Sequence, residues 1–297
     1  MNAAGPRPRV VLVDGVPMSG LVAAVPNPRA ILVAVHGGAT ASVYFDCPGH
    51  PRLSLLRAAA AHGVTAIALD RPGYGASALH QQQFDDPDRR VAFAFGAVDM
   101  MLAGVERGAG TFLVGHSAGC ELAIRMAVGE RRDEVLGLSI AGTGLRYCAE
   151  ALAIIKDATV TSRPAGLRDL LWQPTELYPP EVLTGALSAP GVPYEAKVTA
   201  NWARRDFPEL AARVTAPVQF SVAEHEKVWE STPQASADIL ALFTGAPRVD
   251  LNEMPDSGHN LSVGLSAETY HRQVLAHLDE CLSTSGSGID KKEVEAG

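Results

Sequence analysis

Short apolar runs alternate with longer segments of helical period along most of this 297-residue chain. RVVLV (9–13) and MSGLVAAV (18–25) flank Asp14-Gly15, a pair suited to a tight reversing turn, so they predict an antiparallel hairpin. AILVAV (30–35) is apolar throughout, and VTAIALD (64–70) is apolar from Ala66 to Leu69, as expected of strands covered on both faces. Between them RLSLLRAAAAHG (52–63) predicts a helix stopped by Gly63. A helix over VAFAFGAVDMMLAGVER (91–107), a strand over TFLVG (111–115), a helix over CELAIRMAVGERR (120–132) and a strand over VLGLSIAG (135–142) continue the alternation.

The rhythm then breaks. From about Leu145 to Arg205 the pattern is helical but irregular, with prolines at 164, 174, 179, 180, 190 and 193 and a large share of the aromatics. It resumes with a helix over FPELAARV (207–214), a strand over APVQFSV (216–222), a helix within TPQASADILALFTG (232–245), a strand over RVDLNEM (248–254) and a helix over 266–282. Strand–helix alternation predicts an α/β fold with a doubly wound, mostly parallel, eight-stranded sheet. Residues 1–144 and 206–283 form its core, 145–205 a helical cap inserted after the sixth strand, and the Gly/Ser-rich, then charged stretch 284–297 a disordered tail.

Composition narrows the function classes. A 47% hydrophobic and 20% charged chain is that of a soluble globular protein. Net charge −8 removes an electrostatic case for nucleic acid. The apolar stretch after the N-terminal arginines spans only Val10 to Val13, too short for a signal-peptide core. No run approaches the roughly 18 apolar residues of a membrane helix. Cys47, Cys120, Cys148 and Cys281 are scattered without CxxC pairing and read as reduced thiols, and no His/Cys/carboxylate group has metal-ligand spacing. The expectation is a cytoplasmic protein with no metal, no cofactor, no nucleic-acid or membrane partner, and a homodimer left open.

The candidate chemistry starts at GHSAG (115–119), where a strand ends and a helix begins. Ligands of open α/β sheets sit at the carboxyl ends of the strands, which is where this turn lies. Gly115 and Gly119 leave room for a sharp turn that exposes the Ser117 hydroxyl. The 30–35 strand ends in HGG (36–38), so the N–H groups of Gly38 and Ala118 would form an oxyanion hole. LDRPGYGAS (69–77) follows the next strand, and MPDSGHN (254–260) puts His259 in a loop after the last.

HGG, DRPGYGxS, GHSAG and the late GH, in this order and at these intervals, resemble the α/β-hydrolase fold family over roughly residues 10 to 282. The resemblance implies a nucleophile–acid–histidine triad, with Ser117 as nucleophile and His259 as general base. It implies that His116 packs inward, that His36 supports its loop, and that Asp70 and Arg71 shape theirs. The family's acid commonly follows the strand before the last in a G-x-x-D pattern. Here that loop reads AEHEKVW (223–229), with Ala223 for the glycine and Glu226 where the aspartate stands; Glu224 is the alternative if the turn is shifted. Cys120, one helical turn from Ser117, reads as a small buried hydrophobe.

A serine at this corner implies an acyl-enzyme and then transfer to water or another acceptor. The expected activity is hydrolysis of an ester, thioester or lactone of a medium-sized, partly apolar small molecule. A C–C bond hydrolase or lyase, an acyltransferase or cyclase, and a non-catalytic ligand receptor remain alternatives. Trp172 and Tyr178 of the insertion, with Trp229 after the acid loop, are expected to line the substrate's apolar entry.

Overall fold

The computed structural model describes residues 5–155 and 166–286. Eight strands form one sheet: β1 Arg7–Val13, β2 Val16–Ala23, β3 Ile31–Val35, β4 Thr65–Leu69, β5 Thr111–His116, β6 Val135–Ala141, β7 Val218–His225 and β8 Val249–Gly258. Their spatial order is β1-β2-β4-β3-β5-β6-β7-β8. The β1–β2 hairpin turns at Asp14-Gly15, and β2 lies antiparallel to β4; every other neighbouring pair is parallel. After β3 the chain steps to one side, to β4, and after β5 to the other, to β6. The loops leaving β3 and β5 therefore diverge and open a crevice at the carboxyl edge, the place where such sheets bind ligands.

Period-two alternation in the central strands feeds two cores. Ile31, Val33, Val35, Ile67, Leu69 and Leu113 point to the face covered by α2 (Pro87–Met101), α3 (Gly119–Val128), α7 (Phe207–Ala211) and α8 (Pro233–Leu240). Leu32, Ala34, Ala66, Ala68, Phe112 and Val114 point to the face covered by α1 (Leu55–Ala61) and α9 (Ala267–Gly286). Burial on both sides is why these strands read as unbroken apolar runs.

Between β6 and β7 lie α4 (Ala149–Ile155), α5 (Leu167–Leu171), a 3₁₀ turn at Thr175–Leu177, π-helical turns at Val182–Ala186 and Trp202–Asp206, and α6 (Tyr194–Asn201). The short pieces follow from the prolines, each of which removes a helical donor. No helix among the described residues is long and apolar enough to cross a membrane.

Several boundaries differ from the sequence pattern. α2 starts four residues earlier than its apolar period, because Asp86 caps the Asp88 N–H and Pro87 takes the first turn; it stops at Met101 rather than 107. β8 runs to Gly258, directly against His259, so no loop intervenes. α9 continues to Gly286, past the point where the Gly/Ser composition suggested a tail; residues 287–297 of that tail lie outside the described residues.

α2 and α3 are joined by a buried ion pair. Arg90 Nη2 donates to Glu121 Oε1 at 2.7 Å, with both side chains about 2–3% exposed, and Arg90 Nη1 donates to the carbonyls of Phe84 and Asp85. Arg125 also pairs with Glu121. Removing one partner of a buried pair strands the other charge. Glu121→Ala is therefore expected to lower the unfolding free energy by about 3–5 kcal/mol, read as a fall in the denaturant midpoint.

Candidate active site

Ser117 sits between β5 and α3 at φ +52°, a left-handed conformation that costs an L-residue roughly 1–2 kcal/mol. Its N–H donates to Ala141 O at 2.8 Å and its carbonyl accepts from Cys120 N at 2.9 Å, so the turn is pinned from both sides. Any Cβ at Gly119 would collide with the carbonyls of Val35 and His36 at the end of β3. A Cβ at Gly115 would lie 2.9 Å from Ala123 Cβ. The two glycines are thus required by close backbone passage, and the turn lifts Ser117 into partial exposure.

The β3 loop comes alongside. A Cβ built on Gly38 would stand 3.7 Å from Ala118 Cβ, and among the described residues neither Gly38 N nor Ala118 N donates to a protein acceptor. Both residues are partly exposed. Gly38 and Ala118 therefore lie side by side next to Ser117.

The histidine and its carboxylate arrive on β8 and β7. His225 pairs with Gly258 in the ladder, after a register shift between Ala223 and His225, so the next residues, Glu226 and His259, face one another. His259 Nδ1 lies 3.0 and 2.9 Å from the two Glu226 oxygens, and both side chains are buried. A carboxylate only accepts, so Nδ1 carries the proton and Nε2 presents a lone pair. Nε2 is buried, and among the described residues it has no hydrogen-bond partner; Ser117 is not bonded to it in this structure. Such contacts are often open in free enzymes and tighten around substrate. Ser117 and His259 both lie at the end of β6: Ala141 O holds the Ser117 amide, and a Cβ at Gly142 (φ +69°) would stand 3.3 Å from His259 Nε2.

Burial pushes the Glu226 carboxyl up. The His259 charge outweighs that push, together with hydrogen bonds from His259, Val228 N and Trp229 N, and holds the group below its ordinary 4.5. Glu224 is exposed and accepts instead from Asp256 N at 2.8 Å. Of the two carboxylates weighed from sequence, the geometry brings Glu226 to the histidine and turns Glu224 away.

Other groups are committed to holding these loops. His116 stacks on Tyr44 at 4.5 Å and donates from Nε2 to His259 O at 3.0 Å; burial, reinforced by His259, lowers its pKa to about 3, so it is neutral. Arg71 N donates to His36 Nε2 at 3.1 Å, which leaves the His36 proton on Nδ1 to meet Gly37 O at 2.8 Å. Tyr178 is buried, and its hydroxyl accepts from Asn260 N at 3.1 Å. Trp229 is buried, stacks on Tyr147 and donates from Nε1 to Gly142 O at 3.0 Å. Trp172 is half-buried, edge-on to Tyr178. Tyr178 and Trp229 thus spend their polar atoms on the backbone beside His259. Gly142 carries no motif signal in the sequence, yet its missing side chain makes room for the imidazole.

Burial raises the Cys120 thiol to about 12 and the Cys47 thiol to about 11, so neither is a thiolate at neutral pH. Asp250, His277 and Glu280 converge although their spacing gave no sign of it. Arg248 already bridges the two carboxylates at 2.8 and 2.6 Å, which supplies the cation that cluster calls for.

The comparisons agree with this architecture. The model of the alpha/beta hydrolase family matches residues 32–273, and the chain belongs to that family. A thermostable carboxyl esterase from Bacillus coagulans is similar in structure, with TM-score 0.69, 12% identity, and coverage of 94% of this chain and 99% of that one. E-2-(acetamidomethylene)succinate hydrolase superposes with TM-score 0.65, 18% identity and coverage of 93% and 100%. The thioesterase domain from the curacin biosynthetic pathway gives 0.60, 17% identity and coverage of 92% and 100%. At these identities the likeness is one of fold. No curated protein matches the sequence.

The Glu226–His259 contact has a measurable sign. A carboxyl more acidic folded than unfolded adds stability in full above pH 4.5, and that contribution is lost as pH falls through its lower folded value. In a carboxyl-¹³C NMR titration Glu226 is expected to titrate below 4.5, and to move upward in His259→Ala, where burial is less opposed. An unchanged titration in the variant would mean that the contact does not set the carboxyl's acidity.

Proposed function

We propose that this protein is a serine hydrolase acting on an ester, thioester or lactone through an acyl-enzyme. The observation that carries the reading is the two-oxygen grip of Glu226 on His259 Nδ1, which leaves Nε2 as an acceptor beside the strained Ser117 turn. In this reading Nε2 takes the hydroxyl proton as Ser117 Oγ attacks the carbonyl carbon. The oxygen becomes an anion between Gly38 N–H and Ala118 N–H, aided by the positive end of α3. The tetrahedral adduct collapses, and the leaving group departs with the proton from His259. Water then attacks the acyl carbon, giving one proton to Nε2, and the acid leaves as Oγ regains that proton.

Glu226 fixes the tautomer and stabilises the imidazolium formed in each half-reaction. The segment from 145 to 205 is proposed as a cap over the crevice, with Trp172 at the apolar entry. The names of the structural neighbours, an esterase, a thioesterase and a hydrolase of an amide-bearing diacid, span acyl chemistry of this kind.

Ser117→Ala is expected to abolish both turnover of a 4-nitrophenyl ester and labelling by a fluorophosphonate; labelling that persists would reveal a different nucleophile. Glu226→Gln is expected to lower kcat by about 10⁴-fold, as a wrong imidazole tautomer does elsewhere. Glu224→Gln should leave kcat unchanged, and the reverse pattern would move the acid to 224.

A further inference from the structure

Gly38, the proposed oxyanion donor, has its two neighbouring peptides held by separate tethers. On one side Gly37 O accepts from Arg71 Nη2 at 3.0 Å and from Thr40 Oγ1 at 3.1 Å. On the other, Ala39 adopts a left-handed φ of +54°, and its N–H donates to the Tyr74 hydroxyl at 3.1 Å. Tyr74 and Arg71 then converge on a single atom. Tyr74 Oη donates to Glu195 Oε1 at 2.7 Å, and Arg71 Nη2 donates to the same oxygen. Arg71 is 1% exposed and Glu195 12%, so the pair is shielded from water.

Glu195 belongs to α6, in the segment between β6 and β7, far in sequence from the loop it serves. The same segment touches the loop again: Ala189 N donates to Ala39 O at 2.8 Å, and Tyr194 Oη donates to Pro72 O at 3.0 Å, next to Arg71. The carboxylate itself lies close to the donor amide. A Cβ on Gly38 would be 3.4 and 3.6 Å from its two oxygens.

We infer that Glu195 is a positioning residue for the oxyanion hole: through Tyr74 and Arg71 it sets the orientation of the Gly38 peptide, so this donor is complete only when the β6–β7 segment is seated. The inference rests on the reading of Gly38 N–H as an oxyanion donor. Tyr74 can present its lone pair to Ala39 N only while its own proton is directed elsewhere, and Glu195 receives that proton. Arg71 can hold Gly37 O as a buried cation only beside a counter-charge, and Glu195 supplies one. Misplacing a catalytic group by about 1 Å costs on the order of 10²-fold in rate. The loss falls on transition-state binding, because the oxyanion forms there.

The test compares Glu195→Ala, Glu195→Gln and Tyr74→Phe with wild type, using a 4-nitrophenyl ester and a reversible aryl trifluoromethyl ketone that forms an oxyanion adduct with serine. Glu195→Ala and Tyr74→Phe are each expected to lower kcat by about 10–100-fold, with KM moving less than about threefold. Ketone affinity should fall by the same factor as kcat/KM. Glu195→Gln, which keeps an acceptor oxygen for Tyr74 but no charge for Arg71, should fall between. The double variant should be little worse than the worse single one, since both break one chain of contacts. Lys197→Ala, exposed on the same helix, should match wild type.

A kcat unchanged in both Glu195→Ala and Tyr74→Phe, a rise in KM alone, or a lost kcat with ketone affinity intact would each overturn the inference. Should Glu195→Ala fail to fold, Tyr74→Phe decides, because it leaves the Arg71–Glu195 pair in place. An active wild type with unaffected variants refutes this inference alone; a wild type that neither hydrolyses the ester nor binds the ketone refutes the hydrolase reading and this one with it.

Discussion

The backbone at Gly119 passes so close to the carbonyls of Val35 and His36 that no side chain fits between them. That crossing fixes where α3 begins relative to the end of β3, and three further placements follow from it. Ser117 is forced into a left-handed turn, because the chain must leave β5 and enter the helix within two residues. Ala118 is brought beside Gly38, the pair proposed as oxyanion donors. The Ser117 N–H reaches Ala141 O, which draws the end of β6, and with it Gly142, under the His259 ring. The local strain, about 1–2 kcal/mol, persists because the surrounding packing over-determines the turn.

Four aromatic side chains around the crevice share one pattern: each buries its ring and directs its polar atom at a loop on the sheet's carboxyl edge. Trp229 holds Gly142 O, Trp202 donates to Thr143 Oγ1 at 2.7 Å, Tyr194 holds Pro72 O, and Tyr178 accepts from Asn260 N. Tyr and Trp suit this because their rings contribute apolar burial while the hydroxyl or indole N–H still finds a partner. Loops have few intrinsic reasons to keep one shape, and a reacting site needs donors already aimed before charge develops. Through Tyr178, Tyr194 and Trp202 the segment between β6 and β7 therefore braces loops at the sheet's carboxyl edge.

The sequence revealed what depends on local chemistry. β3, β4 and β5 are legible because burial on both faces leaves polar residues only at the ends of these strands, and the elbow is legible because close passage demands glycine at both 115 and 119. Glu226 could be placed by counting along one loop. Features made by distant segments were not legible. β8 runs through Asn252, Glu253, Asp256 and Ser257, residues that interrupt an apolar pattern, and only pairing with β7 keeps them extended. Asp86-Pro87 marks the start of α2, whereas the apolar period begins only at Val91. Glu195 carries no motif at all. Its meeting with Tyr74 and Arg71 spans 121 and 124 residues, and nothing near it in sequence reports that encounter.

Two largely shielded carboxylates flank the same crevice, and under the proposed mechanism their counter-charges let both coexist with an oxyanion. Under the proposed mechanism the charge of Glu226 is matched when His259 takes the serine proton; the attraction then grows along the reaction, which favours the transition state. Glu195 is matched permanently by Arg71. Without that cation, a carboxylate on the order of 5 Å from a developing oxyanion would oppose it by about 3 kcal/mol at an effective dielectric near 20. With the cation held against it, the pair acts nearly as a dipole and the repulsion largely cancels. In this mechanism one carboxylate, already hydrogen-bonded to the imidazole, gains its full counter-charge only as the ring is protonated, and the other is paired with Arg71 in advance, so that it can brace the loop without repelling the charge that forms there.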